Sequence, residues 1–265
     1  MSSGDMKREN LGGNHDPSAQ LRQALKEDRF VLYAQTIRPL AATAAFPRFF
    51  EVLLRMRGEN QRLLPPADFF PVAKRYNLMG EIDRWVVRTL IKWSLDKHRG
   101  DLAREMPLYS VNLAVASLRD PEFVLDIRSE LQRHDFPGSN LCFELAEPDV
   151  IGDHRAVQAF MSTLRPLGCR FALDCFGGTK APFASFANLT LDFLKIDGAI
   201  IQSILTDPDS LAKIRTIATA ARKIGMRTIA EFVESDDTVA TLRKLGVDYA
   251  QGFGIGRPGP IAQVP

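Results

Sequence analysis

The chain is poor in cysteine and histidine, the residues that build disulfide frameworks and zinc sites. It has 3 cysteines and 4 histidines among 265 residues, with no Cys-x-x-Cys pair. An odd number of cysteines without such a motif argues against a disulfide scaffold and favours a reducing compartment. We therefore expect a cytoplasmic protein, with Cys142 and Cys169 as buried thiols of apolar strands.

Long apolar runs and clustered charge of one sign are also missing. No run approaches the ~20 apolar residues that span a bilayer, so no membrane contact is expected of this domain. The net charge is +2, with lysine and arginine scattered among the acids, and the basic stripe that a nucleic-acid polymer needs is absent. Residues 1–20 are polar and rich in glycine, asparagine and serine, which predicts a disordered linker before one domain at 21–265.

What the chain does have is an alternation of β-rich runs and amphipathic stretches. The pattern predicts strands at 30–37, 49–57, 107–113, 140–145, 170–174, 193–196, 227–231 and 249–252. Helical spacing predicts helices at 21–28, 66–76, 81–98, 121–134, 153–167, 209–224 and 236–245. Eight strands alternating with helices favour an α/β fold, a TIM-like (β/α)8 barrel, over an open doubly wound sheet.

Polar residues close most of these strands at their carboxyl ends, where a barrel builds its active site. They are Asn112, Glu144, Asp174, Lys195, Asp197, Glu231 and Gln251. A single acid at a strand end is usually a cap or a salt-bridge partner, but six such strand ends together predict a shared site. A ring of acids repels itself unless cations neutralise it, and these oxygen ligands suit Mg²⁺, Mn²⁺ or Ca²⁺.

The second predicted strand adds an acid and a guanidinium. Glu51, Leu53 and Arg55 share one face of this strand because side chains alternate with a period of two. The pair either lies beside the same cavity or forms a cross-barrel ion pair. An arginine beside the cavity suits a phosphate, since its planar fork donates two hydrogen bonds.

Seven segments of the chain resemble the successive signature blocks of EAL domains, in the family's order. They are FEVLLRMR, VNLAVASL, CFELAE, FALDCFGG, LDFLKIDGAII, TIAEFVES and GVDYAQGF. The resemblance implies a TIM-like barrel that hydrolyses the bacterial second messenger cyclic di-GMP to pGpG with two Mg²⁺ or Mn²⁺ ions. It also implies a homodimer that acts as the output module of a signalling protein with upstream sensor or GGDEF-type domains.

The resemblance also supplies roles for individual residues. It implies Glu51, Asn112, Glu144 and Asp174 as metal ligands, Lys195 and Glu231 as catalytic groups, and Glu147 as the anchor of the loop after residue 174. The implied cyclic di-GMP contacts are Gln35, Leu53, Arg55, Asp197, Glu234 and Gln251.

Two departures from the family pattern bear on catalysis. Val52 stands where the family has alanine, a small apolar exchange that keeps the acid. Cys175 stands where competent members have a second aspartate, and residues 178–182 lack the small hydroxyl pair of the family loop. Since Mg²⁺ and Mn²⁺ favour oxygen ligands, we expect the first metal site to be retained and the second to be impaired.

Three functions remain open at this point. The favoured one is a cyclic di-GMP-binding domain with weak or absent hydrolysis, because Cys175 replaces a metal ligand. The alternative is an active two-metal phosphodiesterase that produces pGpG, which the otherwise complete set of acids favours. An unrelated metal-dependent barrel, such as an enolase-like lyase, is opposed by the seven signature blocks.

Overall fold

A computed structural model of the chain describes residues 16–41, 48–58, 61–98, 106–177, 183–186 and 188–264. The strands of the described residues are β1 (Phe30–Thr36), β2 (Arg38–Pro39), β3 (Phe49–Arg57), β4 (Leu63–Leu64), β5 (Leu108–Asn112), β6 (Leu141–Ala146), β7 (Arg170–Phe176), β8 (Phe193–Ile196), β9 (Arg227–Ala230), β10 (Tyr249–Ala250) and β11 (Gly259–Pro260). The α-helices are α1 (Pro17–Lys26), α2 (Pro66–Arg75), α3 (Met79–Lys97), α4 (Val115–Leu118), α5 (Pro121–Arg133), α6 (Glu147–Gly152), α7 (His154–Leu164), α8 (Gly198–Gln202), α9 (Pro208–Lys223) and α10 (Asp236–Leu245).

The strands form one sheet that closes on itself. Its order is β11-β1-β3-β5-β6-β7-β8-β9-β10-β2, with β4 paired to β3. Only Ile37 separates β1 from β2, and β2 pairs with β10, so the sheet curls round to its own start. The pairs from β3 to β10 are parallel, but β1 runs antiparallel to β3.

A layer of apolar side chains fills one end of the barrel interior. Seven strands, β3 and β5 to β10, each contribute one residue to a separate buried cluster, and Ile37 joins it from the link between β1 and β2. The full layer is Ile37, Phe49, Leu108, Cys142, Ala172, Phe193, Ile229 and Tyr249. Stacked layers of this kind are the packed core of a TIM-type barrel, and the expected α/β barrel is confirmed.

The helices form the outer shell and begin where the sequence supplies caps. Asp16, Asp120 and Asp207 cap α1, α5 and α9, and each cap precedes a proline, which fits the first helical turn because its missing N–H has no partner there. Helix α1 begins at Pro17, four residues earlier than predicted. Glycines with positive φ follow three of the helical segments, at Gly168, Gly225 and Gly246, where a left-handed residue commonly ends a helix.

Three short helices, α4, α6 and α8, were not predicted from the sequence. They contain 4, 6 and 5 residues, too few for an apolar period of 3.6 to show. None of the helices in the described ranges is long and apolar enough to cross a membrane.

Candidate functional site

The candidate site is the next layer of the barrel interior, towards the carboxyl ends of the parallel strands. Because side chains alternate along a strand, the residues two positions beyond the apolar layer also face inward. For the parallel strands these are Glu51, Ser110, Glu144, Asp174, Lys195, Glu231 and Gln251, and on the antiparallel first strand the equivalent is Gln35. One apolar ring therefore supports a second ring that is almost entirely polar.

Lys195 lies at the centre of the polar ring. It is 1% exposed, and its Nζ lies 2.7 Å from Glu144 Oε2, 3.0 Å from Glu231 Oε1 and 3.1 Å from Glu51 Oε2. Asp174 Oδ1 lies 3.6 Å away. One ammonium group thus holds acids from four other strands together: Glu144, Asp174 and Glu231, which the strand-end pattern predicted to share a site, and Glu51 near the start of β3.

Amide side chains connect the acids to the rest of the ring. Asn112 Nδ2 donates to Glu51 Oε1 at 2.6 Å, and Gln251 Nε2 donates to Glu51 Oε2 and to Gln35 Oε1. Gln35 Nε2 in turn donates to the carbonyl of Gly256 at 2.9 Å. The predicted Gln35, Glu51, Asn112 and Gln251 therefore form one hydrogen-bonded group.

The pKa values of the ring acids are shifted in different directions. Burial raises the pKa of Glu51, but the Lys195 ammonium and the amides of Gln251 and Asn112 outweigh it, so the pKa lies below its ordinary value. Burial raises the pKa of Glu144, as do the neighbouring Glu51 and Asp174 carboxylates. Burial also raises the pKa of Glu231. One lysine is too little positive charge for four acids, and the excess of negative charge favours the protonated form of Glu144 and Glu231.

Several buried oxygens of the ring have no hydrogen-bond partner within the described residues. They are Ser110 Oγ, Glu144 Oε1, Asp174 Oδ1 and Gln251 Oε1. Leaving a buried acceptor unsatisfied costs about 1–3 kcal/mol, which a divalent cation would recover. The ligand set of Glu51, Asn112, Glu144 and Asp174 offers carboxylate oxygens and the amide oxygen of Asn112, and it fits Mg²⁺ or Mn²⁺.

A β-bulge turns Cys175 towards the same cavity as Asp174. Adjacent residues of a regular strand face opposite sides, but the pairing of β7 with β8 shifts register between Leu173 and Phe176. Cys175 itself adopts a left-handed conformation with φ 58°. Bulges commonly redirect side chains next to active sites, and here two consecutive ligand-type side chains face one position.

Cys175 completes a second group of ligand atoms. The ligand atoms of Asp174, Cys175 and Glu231 lie within 4.8 Å of one another, and the Cys175 thiol donates to Asp174 Oδ2 at 3.5 Å. Burial raises the pKa of the thiol to about 12, with further contributions from Asp174 and Glu231. A neutral thiol does not suit Mg²⁺ or Mn²⁺, so the residues of this second position do not fit those ions.

Other predicted residues lie outside this hydrogen-bonded ring. Leu53 and Arg55 are half-buried on β3, and the Arg55 guanidinium lies 5.4 Å from the centre of the Tyr33 ring. Asp197 caps α8 through the Ala199 N–H at 2.8 Å, and Glu234 is exposed. Their roles as ligand contacts stay predictions.

The loop that follows β7 cannot be placed against its predicted anchor. Glu147 is buried at the start of α6. Residues 178–182 lie outside the described residues, so both the anchoring role of Glu147 and the effect of the altered loop stay predictions.

Two members of the site were missed from the sequence. Ser110 is fully buried in the polar ring, and the alternation that leads back from Asn112 could have located it. Gly252 approaches the neighbouring loop so closely that an added Cβ would lie 2.2 Å from Val233 N. The local sequence does not predict this contact, which packs the loop after Gln251 against the loop after Glu231.

Comparison with known proteins agrees with this arrangement. A family model described as the EAL domain matches residues 18–258. The chain belongs to the EAL domain family. It is 35% identical to the cyclic di-GMP phosphodiesterase PdeB of Shewanella oneidensis, over 92% of this chain and 28% of that protein. It is 32% identical to PdeF of Escherichia coli, over 91% of this chain and 32% of that protein, so this EAL chain spans about a third of the length of these relatives.

Solved EAL structures share the barrel. The FimX EAL domain from Pseudomonas aeruginosa, bound to cyclic di-GMP, superposes with a TM-score of 0.86 at 29% identity, covering 95% of this chain and 99% of that one. The FimX EAL domain of Xanthomonas citri, also in complex with cyclic di-GMP, gives 0.85 at 30% identity, covering 94% and 95%. The phosphodiesterase PaMucR, a cyclic di-GMP complex, gives 0.82 at 29% identity, covering 94% and 99%.

Proposed function

We propose that this EAL domain binds cyclic di-GMP and hydrolyses it weakly or not at all. The observation that carries the proposal is the contrast between the two cation positions. Glu51, Asn112, Glu144 and Asp174 keep an oxygen-rich position intact, while the bulge of β7 presents Cys175 at the other. The site then still binds cyclic di-GMP but lacks one oxygen ligand of the second metal, which hydrolysis requires.

The comparisons support cyclic di-GMP as the ligand. The FimX EAL domains and PaMucR carry this ligand in structures that superpose on nearly all of this chain, and the curated relatives PdeB and PdeF are named as its phosphodiesterases. The charge of the site fits the same conclusion, since a phosphodiester is an anion and needs a cation between itself and a ring of acids.

The residues of the ring divide the work of binding in this proposal. Glu51, Asn112, Glu144 and Asp174 hold one Mg²⁺ or Mn²⁺, whose chemistry is to neutralise phosphate charge and lower the pKa of water. Lys195 keeps the acids together and, in any residual hydrolysis, would position the attacking water, and Glu231 is the supporting acid beside it. Gln35, Gln251 and Arg55 provide donors for the ligand.

The second candidate is an active two-metal phosphodiesterase that produces pGpG. One observation favours it: every other acid of the ring is present and is held by Lys195. The loss of one metal's stabilisation of the transition state costs about 4 kcal/mol, or a factor of about a thousand in rate. We therefore rank this function second.

The setting of the domain is proposed from the resemblance and the composition. The family resemblance implies a homodimer and upstream sensor or GGDEF-type domains. All three cysteines are free, which fits the cytoplasm.

Isothermal calorimetry with cyclic di-GMP, cyclic GMP and GTP in Mg²⁺ tests the binding proposal. We expect cyclic di-GMP to bind more tightly than either mononucleotide and Glu51→Ala to weaken that binding. Lys92→Met, on the outer helix α3, is the matched control and leaves affinity unchanged. The absence of heat and of competition at about 100 μM ligand, which corresponds to ~5.5 kcal/mol, contradicts the proposal.

A further inference from the structure

Asp174, Cys175 and Glu231 bring three potential metal ligands to one position of the barrel mouth. Their ligand atoms lie within 4.8 Å of one another, although Cys175 immediately follows Asp174 in a strand. The bulge between Leu173 and Phe176 and the left-handed backbone of Cys175 produce this arrangement. The thiol is therefore part of the cavity and does not lie on the outer face of the barrel.

The polar ring next to this position also carries more negative than positive charge. Asp174 Oδ1 has no hydrogen-bond partner within the described residues and lies 3.6 Å from Lys195 Nζ, and Oε1 of the neighbouring Glu144 also has no such partner. Lys195 is the ammonium that these acids share, and it is already within 3.1 Å of Glu51 Oε2, Glu144 Oε2 and Glu231 Oε1. Unsatisfied acceptors and excess negative charge both favour a further cation.

The chemistry of the three ligands selects the type of cation. Mg²⁺ and Mn²⁺ favour oxygen, whereas sulfur ligands favour softer or borderline ions. Two carboxylates and one thiolate with a remaining open position resemble the three-ligand pattern of catalytic zinc sites. The donor set that makes this position poor for magnesium makes it suitable for an ion of the zinc class.

We propose that the position formed by Asp174, Cys175 and Glu231 binds a borderline divalent cation such as Zn²⁺ or Co²⁺ through the Cys175 sulfur. The inference deepens the proposed function, because it rests on the same metal-dependent site. Binding forms a metal–sulfur bond and breaks the S–H bond, and the released proton passes to water. No redox step is involved.

Because the proposed ligand is a sulfur atom, metal binding can be tested by absorption spectroscopy as well as by affinity. Zinc outcompetes manganese at most sites, so tighter zinc binding alone would not identify the thiolate. A thiolate–cobalt bond instead produces an intense near-ultraviolet charge-transfer absorption that oxygen ligands do not give. The probe is therefore Co²⁺ alone, titrated into the metal-free, reduced protein without nucleotide.

Four proteins make the comparison: the wild type, Cys175→Ser, Cys175→Asp and Cys142→Ala. Cys142 is the matched control, because this buried thiol lies in the apolar layer beneath the site. Aspartate tolerates the left-handed backbone at position 175 better than most residues, so the Cys175→Asp fold is expected to persist. Circular dichroism of each variant checks the fold.

We expect the charge-transfer band in the wild type and in Cys142→Ala, and its loss in Cys175→Ser and Cys175→Asp. In competition titrations we expect Cys175→Asp to lower the Zn²⁺-over-Mn²⁺ preference at least tenfold. A wild type without the band, or a band that survives in folded Cys175→Ser, overturns the inference. Calorimetry with cyclic di-GMP on the same samples separates the two proposals. If cyclic di-GMP binds but the band is absent, the inference about the Cys175 cation is wrong and the proposed function stands. If the band is present but cyclic di-GMP does not bind, the proposed function is wrong and the cation inference stands.

Discussion

At the scale of single residues, Lys195 holds the site together. Its ammonium is buried among Glu51, Glu144, Asp174 and Glu231. Burial lowers the pKa of Lys195, but these four acids outweigh it and raise the pKa well above its ordinary value. The lysine is therefore charged, and its first role is to keep acids from separate strands at one place.

Removal of this charge is predicted to destabilise the protein. Lys195→Met leaves buried carboxylates without their partner, and breaking a buried ion pair in this way costs about 3–5 kcal/mol. We expect the free energy of unfolding, measured by urea titration at pH 8 in the absence of divalent cations, to fall by about that amount. The exposed Lys92→Met is the control and is expected to change stability by less than ~0.5 kcal/mol. Equal losses in the two variants would show that Lys195 has no such role.

The sequence predicted the members of the ring better than their geometry. The period of two along each strand and the polar strand ends located Glu144, Asp174, Lys195 and Gln251. Neighbouring residues of a strand are expected to face opposite sides, so the strand pattern did not predict that Cys175 shares the cavity of Asp174, and only the family resemblance implied it. That arrangement depends on a shift of register between β7 and β8, which is a property of two strands and not of one segment.

At the scale of elements, one buried acid joins the outer helices to the site. Asp83 of α3 accepts hydrogen bonds from the Ala114 N–H at 2.9 Å and from the Ser117 hydroxyl at 2.6 Å. It thereby ties α3 to the start of the short α4, which begins three residues after Asn112. Helix α4 has only 4 residues and no side-chain hydrogen bond from its N-cap residue, so the sequence carries no helix signal there.

The titration of Asp83 gives a pH prediction for stability. Burial raises the pKa of Asp83 to about 6, above its ordinary value of 3.8. The folded state therefore binds this proton more tightly than the unfolded state, and stability through Asp83 rises as the pH falls from 7 towards 5, by about 1 kcal/mol.

Asp83→Asn keeps an acceptor for both hydrogen bonds and removes the titration. We expect the wild type to gain about 1 kcal/mol of unfolding free energy relative to Asp83→Asn when the pH falls from 7 to 5, measured by urea unfolding. The exposed Asp237→Asn is the control and is expected to parallel the wild type. A wild-type curve parallel to that of Asp83→Asn contradicts the assigned pKa.

At the scale of the whole molecule, the barrel explains why a polar ring can lie so deep. The apolar layer from Ile37 to Tyr249 closes one end of the interior, and the ring of acids lies directly above it. Alternation of apolar and polar runs was sufficient to predict the eight principal strands. It could not predict that β1 runs antiparallel to β3 or that β2 closes the sheet, since strand direction depends on how the whole chain is connected.

The central claim is that Cys175, and not the rest of the ring, limits hydrolysis. The most direct test is single-turnover conversion of cyclic di-GMP to pGpG by metal-stripped protein reloaded with Mn²⁺. We predict slow product formation by the wild type, none above background by Glu51→Ala, and a rate at least tenfold above the wild type for Cys175→Asp. The rise can fall short of the full factor of about a thousand, because the altered residues 178–182 remain, and a misplacement of ~1 Å costs about a hundredfold. A wild type as fast as Cys175→Asp would contradict the claim and identify the domain as a competent phosphodiesterase.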